Sequence, residues 1–97
     1  MRTIEKLADV TEKRIYVCLT GEETRRAFIE QAEKEGYTFT DGVKPSEREV
    51  SDFYAINKDK TLNYISTAGR IAWQLNHRSI RRVDFKAYIS GAENYII

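Results

Sequence analysis

The sequence predicts an α+β domain, a mixed and mostly antiparallel sheet with helices packed on one face. Three observations predict it. Residues 20–39, TGEETRRAFIEQAEKEGYTF, read as a charged helix, a glycine stop and an immediate switch to strand alternation. Phe53–Asn57 and Thr61–Ser66 alternate like strands and are joined through Lys58-Asp59-Lys60, which makes a hairpin. The 97 residues, 41% hydrophobic and 32% charged, form one domain over residues 1–97. A chain of that size buries roughly 60–70% of its unfolded surface, enough for one modest core.

The elements follow in order. Residues 3–9, TIEKLAD, put Ile4, Leu7 and Ala8 on one face of a short helix, although Val10-Thr11 fits extended chain equally. Lys13–Leu19, KRIYVCL, is β-branched and aromatic with apolar residues on both faces, the pattern of a central strand. Thr20 with Glu23 three residues later has the form of a capping box. Glu22 and Glu23 complement the helix dipole. Thr24, Phe28, Gln31, Ala32 and Glu35 form the inward stripe, with Phe28 as its anchor, and Glu30–Lys34 is an i,i+4 pair. Gly36 stops the helix and Tyr37–Thr40 begins a strand.

Asp41-Gly42 and Pro45 mark a turn and an exposed loop. In the hairpin, Tyr54, Ile56, Leu62 and Tyr64 share one face, and Phe53, Ala55 and Ile65 the other. Ser66 or Thr67 caps a helix from Ala68 to about Asn76, whose apolar stripe is Ala68, Ile71, Ala72 and Leu75. Trp73 falls outside that stripe and is expected at the helix margin, partly exposed. Ile80–Phe85 reads as a last strand, and Asp84 also caps a short helix, Phe85–Ser90, stopped by Gly91. Both hold if the strand ends near Val83. Tyr95-Ile96-Ile97 is apolar enough to dock or to add an edge strand.

Catalytic chemistry finds little to work with. The single histidine, His77, follows a helix end, where it caps carbonyls or faces water. Cys18 lies within a strand, with nothing nearby in sequence to activate it. The five glycines are scattered and make no phosphate loop. No catalytic residue, metal ligand or cofactor is assigned; an enzyme would need His77 or a carboxylate pair as its centre. One cysteine and the lack of a secretory leader fit a reducing cytoplasm. No apolar run approaches the roughly 18 residues of a membrane span.

Charge is informative only locally. Residues 1–49 carry nine Lys/Arg against eleven Asp/Glu, and residues 50–97 seven against four. The excess concentrates in Arg70, Arg78, Arg81, Arg82 and Lys86, offset only by Asp84 and accompanied by Trp73, His77 and Tyr88. Arginine among aromatics suits a protein interface, where Trp and Arg carry much of the binding energy. It suits phosphate contacts and base stacking as well. A solvated strand edge kept apart by its charges has the same composition. Six tyrosines make a stacking platform only if the fold brings them to one face.

The run FIEQAEKEGYTFTDGVKPSE followed by FYAINKDKTLNYIS resembles a pattern in small uncharacterised proteins of phages and prophages of Gram-positive bacteria. The likeness covers roughly residues 14–66 and carries no site residues. It implies a non-enzymatic accessory protein that binds a host protein, such as a CRISPR nuclease or another defence component. Its near-neutral charge departs from the acidic nucleic-acid mimics of that type. The alternative partner is nucleic acid, held by the segment from Arg70 to Lys86. Oligomeric state is not set by the sequence.

Overall fold

The computed structural model describes residues 2–10 and 12–97, and its elements alternate along the chain. They are α1 (Ile4–Ala8), β1 (Arg14–Cys18), α2 (Glu22–Lys34), β2 (Thr38–Phe39), a 3-10 turn (Pro45–Glu47), β3 (Phe53–Ile56), β4 (Thr61–Tyr64), α3 (Thr67–Gln74), β5 (Ile80–Asp84) and α4 (Phe85–Ile89). The five strands form one mixed sheet in the order β2-β4-β3-β1-β5. β3 pairs antiparallel with β1 and β4, while β1 with β5 and β2 with β4 are parallel. The class is α+β, as the sequence predicts. The alternative of an extended Val10-Thr11 falls partly on Thr11, which lies outside the described residues.

Topology corrects one expectation, that all helices share a face. α1, α2 and α4 do, and they build the main core from Ile4, Leu7, Phe28, Ala32, Phe85 and Tyr88 against Val17, Tyr54, Leu62 and Val83. α3 covers the opposite face, over Tyr16, Ala55, Ile65 and Ile80. The reason is handedness. β1-α2-β2 crosses the sheet in one direction and β4-α3-β5 in the other, so two crossovers of the same hand place their helices on opposite sides.

Local chemistry sets the ends of the helices. Gly36 (φ 86°), Asn76 (φ 48°) and Gly91 (φ 90°) take the left-handed conformation after α2, α3 and α4. Each completes the same motif: Tyr37, His77 and Ala92 amides donate to Ala32, Ala72 and Ala87 carbonyls at 2.8, 2.9 and 3.0 Å. The capping box expected from Thr20 and Glu23 is not formed. Gly21 (φ 85°) is the residue before α2 and leaves Thr20 a position too early and exposed. The stripe of α2 is Thr24, Phe28, Ile29 and Ala32, with Gln31 and Glu35 only half-buried.

Glu35 has a different role. Its carboxylate accepts the Ile4 and Glu5 amides, each at 2.9 Å, and so caps α1 from the far end of α2. The two termini are also tied together. The Arg2 guanidinium donates to the Tyr88 and Ala92 carbonyls and lies over the Tyr88 and Tyr95 rings. The Tyr88 hydroxyl donates to the Thr3 carbonyl at 2.6 Å. The tail pairs with the outer edge of β5, Val83 opposite Ile96, which blunts an exposed sheet edge.

Candidate protein interface

The surface of interest is built on a helix that is packed the other way round from its own periodicity. The sequence turns Ala68, Ile71, Ala72 and Leu75 inward. In the structure Gly69 is buried, Ala72 and Trp73 are half-buried, and Ala68 faces solvent. Ile71 is 51% exposed and Leu75 72%. The correction has a physical cause. A Cβ on Gly69 would lie 2.6 Å from Ile65 Cγ2, so only glycine lets the backbone of α3 approach the sheet so closely. Trp73, four residues further along and so on the same side of the helix, then points down beside Gly69. Its indole meets the Phe53 ring edge-on at 5.0 Å, and the remaining apolar side chains are left outside.

The basic segment divides between three places. Arg70 lies over the Phe53 ring, 4.9 Å from its centroid, and its guanidinium is 3.4 Å from Asp52. Arg82 lies 5.7 Å from the Trp73 centroid and donates to the Trp73 carbonyl at 3.2 Å; its Nε is buried with no hydrogen-bond partner among the described residues. These three belong together. His77 and Arg78 occupy the turn from α3 to β5, both exposed. There the His77 Nδ1 accepts the Ser79 amide at 3.1 Å, which makes the imidazole a brace for the turn.

Arg81 and Lys86 are not part of that group. Strand alternation turns Arg81 to the face opposite Arg82, beside Ile15 in the sheet register, and Lys86 sits on α4 in the other layer. The tyrosines make no platform either: Tyr37, Tyr54 and Tyr88 are buried on the α2 face, and Tyr16 lies beneath α3 on the other. Cys18 is half-buried, and burial followed by the charges of Asp84 and Asp52 pushes its thiol pKa up, toward the unreactive form.

Charge completes the picture of the α3 surface. Residues 61–83 carry no carboxylate and four arginines, of which Arg81 faces the other side of the sheet and Arg70 is paired with Asp52. Exposed aliphatic side chains on one side of a helix, flanked by Arg78 and bordered by Arg70, are the composition of a docking surface with a basic rim. The sequence missed Ile71 and Leu75 because their spacing is that of a buried stripe; Gly69 within the same helix was the available sign of a close approach.

Among the described residues no group of three or more His, Cys, Asp or Glu side chains is placed to hold a metal ion, and no helix is long and apolar enough to cross a membrane. No protein-family model, curated protein or solved structure matches the chain.

Proposed function

We propose that this chain is a protein-binding module without catalytic activity of its own, which docks a partner protein on the outward side of α3. The observation that carries it is the exposure of Ile71 and Leu75, 51% and 72%, on a helix whose opposite side already holds it to the sheet. The absence of carboxylates from residues 61–83 favours a partner with acidic groups around an apolar patch. It also opposes a second copy of the same surface, which would set like charges against each other. The likeness of residues 14–66 to phage accessory proteins supports a host protein in the bacterial cytoplasm, a defence nuclease such as a CRISPR effector, as that partner.

The test is a pull-down from a Gram-positive bacterial lysate with wild type, Ile71→Asp and Leu75→Asp. One retained protein, lost in both variants while their melting temperatures stay near wild type, is the expected result. Equal retention by the variants overturns the α3 interface.

A second reading, nucleic-acid binding, is favoured by Arg78 and Arg81, which make no ion pair among the described residues. It requires DNA or RNA affinity that falls steeply with salt and disappears on charge reversal at Arg78 and Arg81, Arg82 being packed against Trp73. No retention of either polymer at low salt removes it.

A further inference from the structure

Three arginines far apart in sequence, Arg25 on α2, Arg48 in the loop before β3 and Arg70 on α3, line one open groove of about 910 Å³. Two of them are held in place from one side. Arg48 is paired with Asp41 and lies 5.1 Å from the Phe39 centroid. Arg70 is paired with Asp52 and lies 4.9 Å from the Phe53 centroid. A guanidinium carries five N–H donors, so a single carboxylate at one edge leaves donors for a ligand. Arg25 is half-buried, and its guanidinium has no hydrogen bond or ion pair among the described residues.

The groove is not purely basic. Val50, 45% exposed, gives it aliphatic surface, and Glu49 and Asp52 stand on its wall. A second depression of about 480 Å³ shares Arg25 and Val50 with it and adds Ile29. Glu22 and Glu30 also line it beside Arg25 and Arg26, so its charges balance and the arginine-rich surface is the larger groove.

We propose that the larger groove holds an extended acidic peptide segment of a partner protein. Carboxylates of the segment pair with Arg25, Arg48 and Arg70, while its aliphatic side chains lie on Val50. A nucleic-acid backbone fits less well. It would carry a charge at every nucleotide past Glu49 and Asp52, whereas a peptide places its carboxylates only where the arginines stand. Arg70 borders both this groove and the outward side of α3, so Arg25 and Leu75 are the positions that tell the two apart.

The experiment is an NMR titration of the full isotope-labelled chain, observing arginine Nε–H and backbone amide signals. The probes are a short capped peptide alternating Glu and Leu, its Lys/Leu counterpart, and oligothymidylate, each to millimolar concentration. The Glu/Leu peptide is expected to shift the Arg25, Arg48 and Arg70 Nε–H signals and the Val50 amide. Arg25→Gln should weaken its binding about tenfold, the loss of one charge-assisted contact, and Arg70→Gln similarly. Leu75→Asp should leave it unchanged. No shift with the Glu/Leu peptide, equal shifts with the Lys/Leu peptide, or shifts with oligothymidylate alone would each overturn the proposal. Loss of the peptide response in Leu75→Asp would overturn it too, by moving the contact to α3. The lysate pull-down can fail or succeed independently of all four outcomes.

Discussion

Gly69 lies directly over Tyr16: a Cβ built on the glycine would stand 3.3 Å from the Tyr16 hydroxyl oxygen, and only 2.6 Å from Cγ2 of Ile65. The contact fixes which side of α3 meets the sheet, and hence which side chains remain outside. It also sets two ordinary effects of Gly69→Ala against each other. Helix propensity alone favours alanine by about 1 kcal/mol. The clash is with the γ-methyl of a β-branched residue, which has little rotamer freedom to move aside. Overpacking of this kind costs about 1–3 kcal/mol, so the substitution is expected to destabilise. A denaturation midpoint above wild type would mean that α3 can lift off the sheet without penalty.

That contact also shows where sequence reading stops. Periodicity located α3, the hairpin and β1 with its faces, and α2 with its Thr24–Phe28–Ala32 side but not Ile29, because each depends on neighbours a few residues away. Which face of α3 is buried depends on Ile65 and Tyr16 across the sheet, and a short helix on a small sheet can be anchored by one glycine and one tryptophan. The meeting of Arg25, Arg48 and Arg70 is further beyond reach. Nothing local links them, and Arg48 between Glu47 and Glu49 reads as a solvated loop residue.

A paired comparison follows for the apolar side chains. Phe28 is fully buried, stacked on Tyr54 at 5.2 Å and edge-on to Phe85 at 5.0 Å. Phe28→Ala should cost about 3–5 kcal/mol. Leu75→Ala, at a position 72% exposed, should stay within about 0.5 kcal/mol of wild type. Urea denaturation of the two variants decides it, and a large loss in Leu75→Ala would place that side chain in the core.

The caps separate in the same way. Asp84 accepts the Ala87 amide at 3.3 Å and caps α4, so Asp84→Ala should cost about 1 kcal/mol. Thr20 makes no cap to α2, and Thr20→Ala should change stability by less than about 0.5 kcal/mol. The reverse ranking in thermal melts would restore the capping box at Thr20.

Glu35 joins two helices through hydrogen bonds to the Ile4 and Glu5 amides, with Gln31 donating to the same carboxylate at 2.7 Å. Glu35→Ala should release α1 before the rest of the domain. Amide exchange of Leu7 and Ala8 should accelerate most, and global stability should fall by about 1.5–3 kcal/mol, the range for hydrogen bonds to a charged group. Uniform acceleration across the sheet and α2 would show that α1 does not open separately.

Glu33 provides a pH signature at the other side of α2. Its Oε1 accepts the Ser46 amide at 2.8 Å, tying the 3-10 turn to the helix. Hydrogen bonds from the Ser46 side chain, then from its amide, hold the Glu33 pKa below the ordinary 4.5. A carboxyl whose pKa is lowered on folding contributes stability above its unfolded value, and that contribution is lost as the pH falls through the folded value. The tie between Pro45–Glu47 and α2 should therefore be intact at neutral pH and loosen only in acid below 4.5. Carboxyl-carbon NMR titration should give Glu33 a lower pKa than the ordinary value in wild type. Ser46→Ala, which removes the larger of the two causes and keeps the amide, should raise it part of the way back. A Glu33 pKa at or above 4.5 in wild type, or one indifferent to Ser46→Ala, would show that this contact is not formed in solution.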